Sequence, residues 1–463
     1  MEKTPDLAQF RNKVYQNFNK RADTLMELVD ALCSHTQTSS VVELSLQNCF
    51  RRSYSALFKA LDEYRPHEET LAHLAGPYLA VPEQRSFWLV GTDVTPQPRP
   101  YARTLEERGF VYQPTVIWGN QPITIGHQYS SVVLLPEKEP GRGAPWVVPL
   151  ACQRVKLAET KALVGANQMG ALLEDEKLPF HNQLIVEVGD SDYAQPAYLA
   201  ANRAHDQLVS LVRCRGNRIF YRQKERAGAE TGGAPGHYGR PFKLRDPDSW
   251  HVPDAETQFP VTSRRGRTFQ VVIQAWHNML MRGKNKPKRI RMFRYPFTLV
   301  RILWLDEDGQ QVFKHPLWLL VIGNRRHELG LEDIQQAYAQ RSDLEHFFRF
   351  GKQKLLLAAY QTPEVTREER WWHLVHLAYL QLWVARDSAA CLPRPWERHL
   401  LQHQGSSPTP TLVQRDFDRL IRHFGTPAKS PKPRGKAPGR LKGFRPTLRQ
   451  RREVVKKGLK PPP

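Results

Sequence analysis

In the stretch AYAQRSDLEHFFRFGKQK, from Ala337 to Lys354, Tyr338, Arg341, Glu345 and Lys352 recur at spacings of three, four and seven. At ~100° per helical residue these four fall within a stripe about 60° wide. An apolar stripe of Ala337, Leu344, Phe348 and Leu355 runs beside it. A carboxylate, two cations and a phenol therefore sit at the border of a buried face. Two more acids close apolar runs: Asp93 ends SFWLVGTD, and Asp190 ends LIVEVGD. A strand end holds a carboxylate in a fixed direction, and a helix border brings a third acid to the same point. Hard cations such as Mg²⁺ take oxygen ligands. Two of them about 4 Å apart activate a water or hydroxyl nucleophile and stabilise the leaving oxygen. Phosphodiester cleavage requires that chemistry, together with cations such as Arg341 and Lys352 to hold the strand.

Each piece also has an ordinary reading. An aspartate after an apolar strand commonly serves a turn or a cap. A glutamate with Arg and Lys at helical spacing commonly forms a surface ion-pair ladder. The order Asp, Asp, Glu, with a basic insertion between the last two, is more specific than either. Asp192 lies two residues after Asp190 and on a strand would share its side. Asp190 is preferred because it directly ends the apolar run, and Asp192 is expected to cap the following helix.

The elements that must position these residues are legible from periodicity. Asp6 to Leu32 and Val42 to Tyr64 show helical apolar spacing. With Arg51, Arg52 and Lys59 in the second segment, two readings stand open: a small DNA-binding domain, or a helical cap on a catalytic core. From Phe87 the texture becomes strand-like. SFWLVGTD, VYQPTVIW, SSVVLLP and WVVPLAC precede a helix over about Thr160–Leu173, with Gly119-Asn120 as a turn. LIVEVGDSDY, AYLAANRAH and LVSLVRCRGNRIFY then alternate strand, helix and strand, which makes a mixed α/β sheet. Gly-, Pro- and Arg-rich segments follow, with the strands FQVVIQAW and YPFTLVRILWL flanking the basic loop MRGKNKPKRIRMFRYP. They read as a β-rich insertion. HPLWLLVIG resumes a strand before the helix of the four residues, and Glu368 to Ala389 forms a second long helix.

The 463 residues carry a net charge of +22, which points to a polyanionic partner, nucleic acid before membrane. From Lys429 to Lys460 there are 13 cations against the single Glu453, so this Pro/Gly-rich tail holds +12 and leaves +10 elsewhere. The loop cations Lys286, Lys288, Arg289 and Arg291, and Arg215 and Arg218 of RCRGNR, are candidate backbone contacts. A solvated charge run is their plainer reading. Five scattered cysteines without a C-x-x-C pair suit a reducing cytosol and argue against a zinc site. No apolar run approaches the ~18 residues of a membrane span, and MEKTPDLAQF has no signal-peptide core. The expectation is a soluble intracellular protein that works on nucleic acid and does not engage a membrane.

Tyr338, Arg341, Glu345 and Lys352 match in type and spacing the Y-(2)-R-(3)-E-(6)-K signature of insertion-sequence DDE transposases. VEVGDSDYAQPAYL resembles that family's second-aspartate segment and FWLVGTDVT its first. RCRGNR and GTPAKSPKPRGKAPGR are similar to runs in transposases of this branch. The resemblance spans about Phe87 to Lys352. It implies an α/β fold: a ribonuclease H-like mixed sheet with flanking helices, interrupted by a β-rich insertion, plus an N-terminal helical domain and a disordered basic tail. The expected divisions begin with 1–80 (helical, a candidate reader of terminal repeats), 81–220 (first part of the core) and 221–317 (insertion). They continue with 318–392 (second part, with the signature helix), 393–426 (C-terminal helical segment) and 427–463 (tail).

By the same resemblance, Asp93, Asp190 and Glu345 bind two Mg²⁺ ions, with Mn²⁺ as a substitute, and Tyr338, Arg341 and Lys352 contact phosphates of the element end. Trp318 is the position matching a tryptophan that stacks on a flipped base, and it reads equally as a core residue of a buried strand. Trp304 is a weaker candidate. The implied partners are element terminal repeats and target DNA, bound by a homodimer. The implied activity is cleavage followed by joining of the freed 3′-hydroxyl to target. The alternatives are a metal-dependent nuclease without strand transfer, an inactive DNA-binding relic, and a DNA-packaging protein, which would leave the acids unexplained.

Overall fold

Runs of Val, Ile and Leu bounded by Gly, Asp and Pro produce the sheet, and amphipathic segments produce the helices around it. The computed structural model describes residues 5–65, 70–113, 122–138, 144–224, 237–263, 266–283, 290–391, 394, 396, 407–433, 443 and 448–454. Helices α1 (Pro5–Gln16), α2 (Ala22–Ser34), α3 (Tyr54–Glu63) and α4 (Leu71–Ala75) open the chain. Next come β1 (Trp88–Pro98), β2 (Gly109–Tyr112), β3 (Ile123–Leu134), β4 (Val148–Arg154), α5 (Lys161–Leu173), β5 (Ile185–Gly189), α6 (Pro196–Asn202) and β6 (Leu208–Cys214). The strands β7 (Ile219–Gln223), β8 (Tyr238–Lys243), β9 (Ala255–Thr262), β10 (Thr268–Leu280), β11 (Phe297–Leu305) and β12 (Leu317–Ile322) follow. The chain then forms α7 (Leu331–Gln340), α8 (Ser342–Lys354), α9 (Val365–Cys391) and α10 (Pro410–Phe424).

Five strands lie in the order β4-β3-β1-β5-β6. β3 is antiparallel to β1 and β4, while β5 runs parallel to β1 and β6 parallel to β5. This is the ribonuclease H-like sheet. The insertion strands extend it. β12 pairs antiparallel with β6, and β11, β10, β7 and β8 continue outward, with β9 beside β10. The expected Gly119-Asn120 turn lies outside the described residues.

A buried carboxylate ties the middle of the sheet together. Glu187 of β5 is fully buried and accepts from Thr92 of β1, Tyr198 and Asn202 of α6 and Ser210 of β6. Burial pushes its carboxyl up, against the pull of these four donors. The platform that carries both aspartates is thereby braced on three strands and one helix.

The N-terminal segments are more broken than their periodicity predicts. Arg21 adopts left-handed backbone (φ 55°) between α1 and α2, and Val42–Leu46 is a 3₁₀ turn separate from α3. The helices share one core with α9 and α10. Arg11 Nη2 pairs with Asp30 at 2.9 Å, and Gln381 of α9 donates to Asp30 at 3.0 Å. Arg51 and Arg52 both clasp the buried Glu27. They also donate to Ala428 O (2.8 Å) and Lys429 O (2.7 Å). These two cations are thus used in packing, and the helical-cap reading fits the arrangement. The described parts of the tail form neither helix nor strand, yet Arg452 reaches Glu106 at 3.0 Å, and Ala428 is buried. The rest of the tail lies outside the described residues.

Candidate active site

The parallel pairing of β1 with β5 ends at Thr92↔Gly189. Asp93 and Asp190 are the next residues on each strand, at the crevice where two parallel strands part. Asp93 does not end its strand as expected. β1 continues to Pro98 because β3 keeps pairing with it, including Asp93↔Ser131. Gly91 lies on the same face, and a Cβ there would come within 2.8 Å of Leu344 Cδ1. The missing side chain lets α8 settle against β1 and brings Glu345 over the crevice.

The four signature residues do not share one continuous helix. α7 ends at Gln340 and α8 begins at Ser342, with Arg341 at the junction. Arg341 N bonds to Tyr338 O (3.1 Å) and Leu344 N to Arg341 O (3.1 Å), a tightened i→i+3 pattern. Ser342 Oγ donates back to Ala339 O (3.1 Å), competing for a helical carbonyl. The tight turn points the Arg341 guanidinium inward. Its Nη2 donates to Asp93 Oδ2 at 2.8 Å and its Nη1 to Glu345 Oε1 at 2.9 Å. Its Nε is buried without a hydrogen-bond partner among the described residues.

Burial raises Asp93 to about 6, opposed by Arg341 and reinforced by the nearby Asp190. Tyr338 is pushed up to about 12, mainly by burial, although Arg341 and Arg213 pull it down. Lys352, half-buried two turns from Glu345, is lowered to about 8 by burial alone. Asp190 Oδ1 accepts from Asp192 N at 2.8 Å. Asp192 does not cap α6, whose N-cap is Gln195. Its carboxylate instead pairs with Lys161, at the first turn of α5, and with Arg215 (3.0 Å). α5 and the turn after β6 supply two cations on the same patch, and these outcompete a local cap.

Of its two readings, Trp318 takes that of a core residue in a buried strand. It is 3% exposed and lies opposite Cys214 and Arg301. There it packs among Trp250 (5.3 Å between ring centres), Trp276 (5.8 Å) and Phe242 (6.1 Å). Strand alternation turns its neighbour Leu317 to the other face, toward the acids. On that face a cavity of about 380 Å³ is lined by Trp304, Phe313, Arg213, Tyr338, Arg341 and Glu345, among others. Trp304 is the tryptophan beside the site. Arg213, exposed between the buried Val212 and Cys214, was not singled out from sequence. Its parity with those two apolar neighbours was the available signal. Lys161 gave none, because only the fold brings α5 to Asp192.

The other expected contacts divide. Arg215 is engaged with Asp192 and with Ser191 Oγ (3.3 Å). Arg218 donates to Ala194 O (3.3 Å), and Arg291 is exposed. Lys286, Lys288 and Arg289 lie outside the described residues.

A family model for the DDE superfamily endonuclease matches residues 13–283, more than half of the chain. The chain belongs to that superfamily. A DDE endonuclease cleaves nucleic acid, and its substrate is DNA. The match covers the two aspartates and stops before α7, so Glu345 rests on the geometry above. No curated protein matches the chain. No helix among the described residues is long and apolar enough to cross a membrane.

DDE endonucleases generally use divalent metals. The donor set here is carboxylate oxygen, which suits a hard cation. Among the described residues, however, no three His, Cys, Asp or Glu side chains converge closely enough to hold one. Between Asp93 and Glu345 stands the guanidinium of Arg341. Asp93 and Glu345 have the oxygen donors such an ion takes, and sharing it between them would require that guanidinium to turn away.

Proposed function

We propose that this DDE endonuclease is an insertion-sequence transposase. In this reading it cuts at the ends of its own element and joins the freed 3′-hydroxyl to target DNA, as a homodimer with one end per subunit. The observation that carries the proposal is the signature arginine Arg341 bridging Asp93 (2.8 Å) and Glu345 (2.9 Å), at the crevice where the β1–β5 pairing ends just before Asp190. Asp93, Asp190 and Glu345 would hold two Mg²⁺ ions, or Mn²⁺ in their place. Bound there, the ions would polarise the scissile phosphate and activate the attacking hydroxyl.

The chain's own groups do the positioning. Tyr338 and Arg213 line the cavity beside the acids and, with Lys352 two turns along α8, would grip backbone phosphates; Lys352, poorly solvated as an ammonium, gains most from an anion beside it. Trp304, with Phe313 6.3 Å away, supplies the ring for an unstacked base that Trp318 cannot supply. The buried Glu187 network keeps both aspartates in register. Arg291, the loop around it and the tail would follow the phosphate backbone without reading sequence.

The test uses purified protein, the element's own flanking ends and a target plasmid with Mg²⁺ or Mn²⁺, wild type beside Asp93→Ala. Joined products from wild type alone support the proposal. Cleavage without joining makes the protein a metal-dependent nuclease. Binding with neither product makes it a DNA-binding relic.

A further inference from the structure

We infer that Arg341 is an exchangeable latch: it holds Asp93 and Glu345 until a DNA phosphate takes its guanidinium, so that DNA binding assembles the metal site. This rests on the proposed function and concerns how its site is switched on.

Three observations carry it. First, one guanidinium bridges two of the three acids, through Nη2 to Asp93 (2.8 Å) and Nη1 to Glu345 (2.9 Å). A planar fork suits this bridge, and it suits phosphate equally well. Second, the acids do not converge into a cation-holding group. The side chain between Asp93 and Glu345 is this one, so an ion shared by them requires its departure. Third, the hold is incomplete. Nε has no hydrogen-bond partner among the described residues, and the outer arm ends on Glu345, which is 58% exposed. Arg341 also lines the cavity shared with Arg213 and Tyr338, so a phosphate entering there meets it directly. Its place at the α7–α8 junction allows the swing: a side chain on a turn between two helices can reorient without unwinding either.

The consequence is an exchange of ionic partners. The guanidinium leaves two carboxylates for one phosphate, and the carboxylates become free for cations. Metal binding in the absence of DNA is thereby suppressed. Arg341 acts here as a positioning residue, through Asp93 and Glu345.

The measurement is Mn²⁺ affinity by calorimetry or by the spin-resonance signal of free Mn²⁺. Full-length wild type, Arg341→Gln and Arg341→Lys are compared with and without a short duplex. Thermal melting confirms that each variant is folded, and Lys preserves the charge should Gln weaken the fold. Arg341→Gln is expected to bind Mn²⁺ roughly 10-fold more tightly than wild type in the absence of DNA, within the usual range of coupling between sites. Arg341→Lys, which cannot bridge both acids in a fork, falls between. The duplex should tighten wild type more than either variant. Mn²⁺ binding by Arg341→Gln no tighter than by wild type without DNA overturns the latch alone. No Mn²⁺ binding by any protein, with or without duplex, overturns the metal-dependent function and the latch with it.

Discussion

Two acids of this molecule are each met by an arginine, and the contrast between them separates architecture from chemistry. Glu368 of α9 is fully buried. It accepts from Arg99 (3.1 Å) and Tyr129 (2.9 Å) and lies 2.7 Å from His127 Nδ1. Arg99 is itself anchored on the carbonyls of Tyr360 and Thr362. The network is closed around the carboxylate, although Arg99 Nε, like Arg341 Nε, has no hydrogen-bond partner among the described residues, and it ties α9 to β3 and to the end of β1. Asp93 lies on β1 as well, but among the described residues its side-chain donor is Arg341, whose other arm reaches out to an exposed glutamate. A closed network stabilises, whereas an open one leaves a carboxylate for exchange. The rise of Asp93 to about 6 reflects this: burial outweighs the partners it has.

The comparison breaks most sharply on activity. Asp93→Ala and Glu345→Ala should each lower cleavage by on the order of 10³-fold or more, comparable to losing one strong electrostatic anchor. DNA binding in a gel-shift assay should stay within a few-fold. Equal loss of both would return these acids to the structural class. Glu368→Ala should do the reverse. It should cost about 3–5 kcal/mol in chemical denaturation by leaving Arg99 buried and unpaired, with cleavage per folded molecule unchanged.

The tryptophans sharpen the same contrast on a smaller scale. Trp318→Ala should destabilise by about 3–5 kcal/mol through a core cavity. Trp304→Ala should leave stability nearly unchanged and weaken the hold on a distorted DNA end by about 1–3 kcal/mol. Matched losses of stability would remove Trp304 from the site.

A pH series on Asp93→Asn gives the smallest effect. The native carboxyl titrates near 6 against an ordinary 3.8. The folded state therefore binds this proton more tightly than the unfolded state, and wild type loses stability as pH rises from 3.8 toward 6. Asn carries no such cost. Its melting temperature should match wild type near pH 4 and exceed it above pH 6, by the equivalent of about 1–3 kcal/mol. A gain that shrinks with rising pH would contradict the assignment.

The candidate acids, the spacing of Tyr338, Arg341, Glu345 and Lys352, and the alternation that builds the sheet are legible in the order of residues. These depend on periodicity and on covalent neighbours, and both are local. The tertiary structure decided what depends on pairing between distant segments. The registers of β12 against β6 and β11 put Trp318 on the face away from the acids and left Trp304 beside them. The buried Glu27 and the returning chain at Ala428 and Lys429 consumed Arg51 and Arg52. Lys161 and Arg215, from two different elements, claimed Asp192 before it could cap a helix. Helical spacing placed Arg341 near Glu345, but only the docking of α8 over Gly91 brought the same guanidinium to Asp93, 248 residues away in the chain.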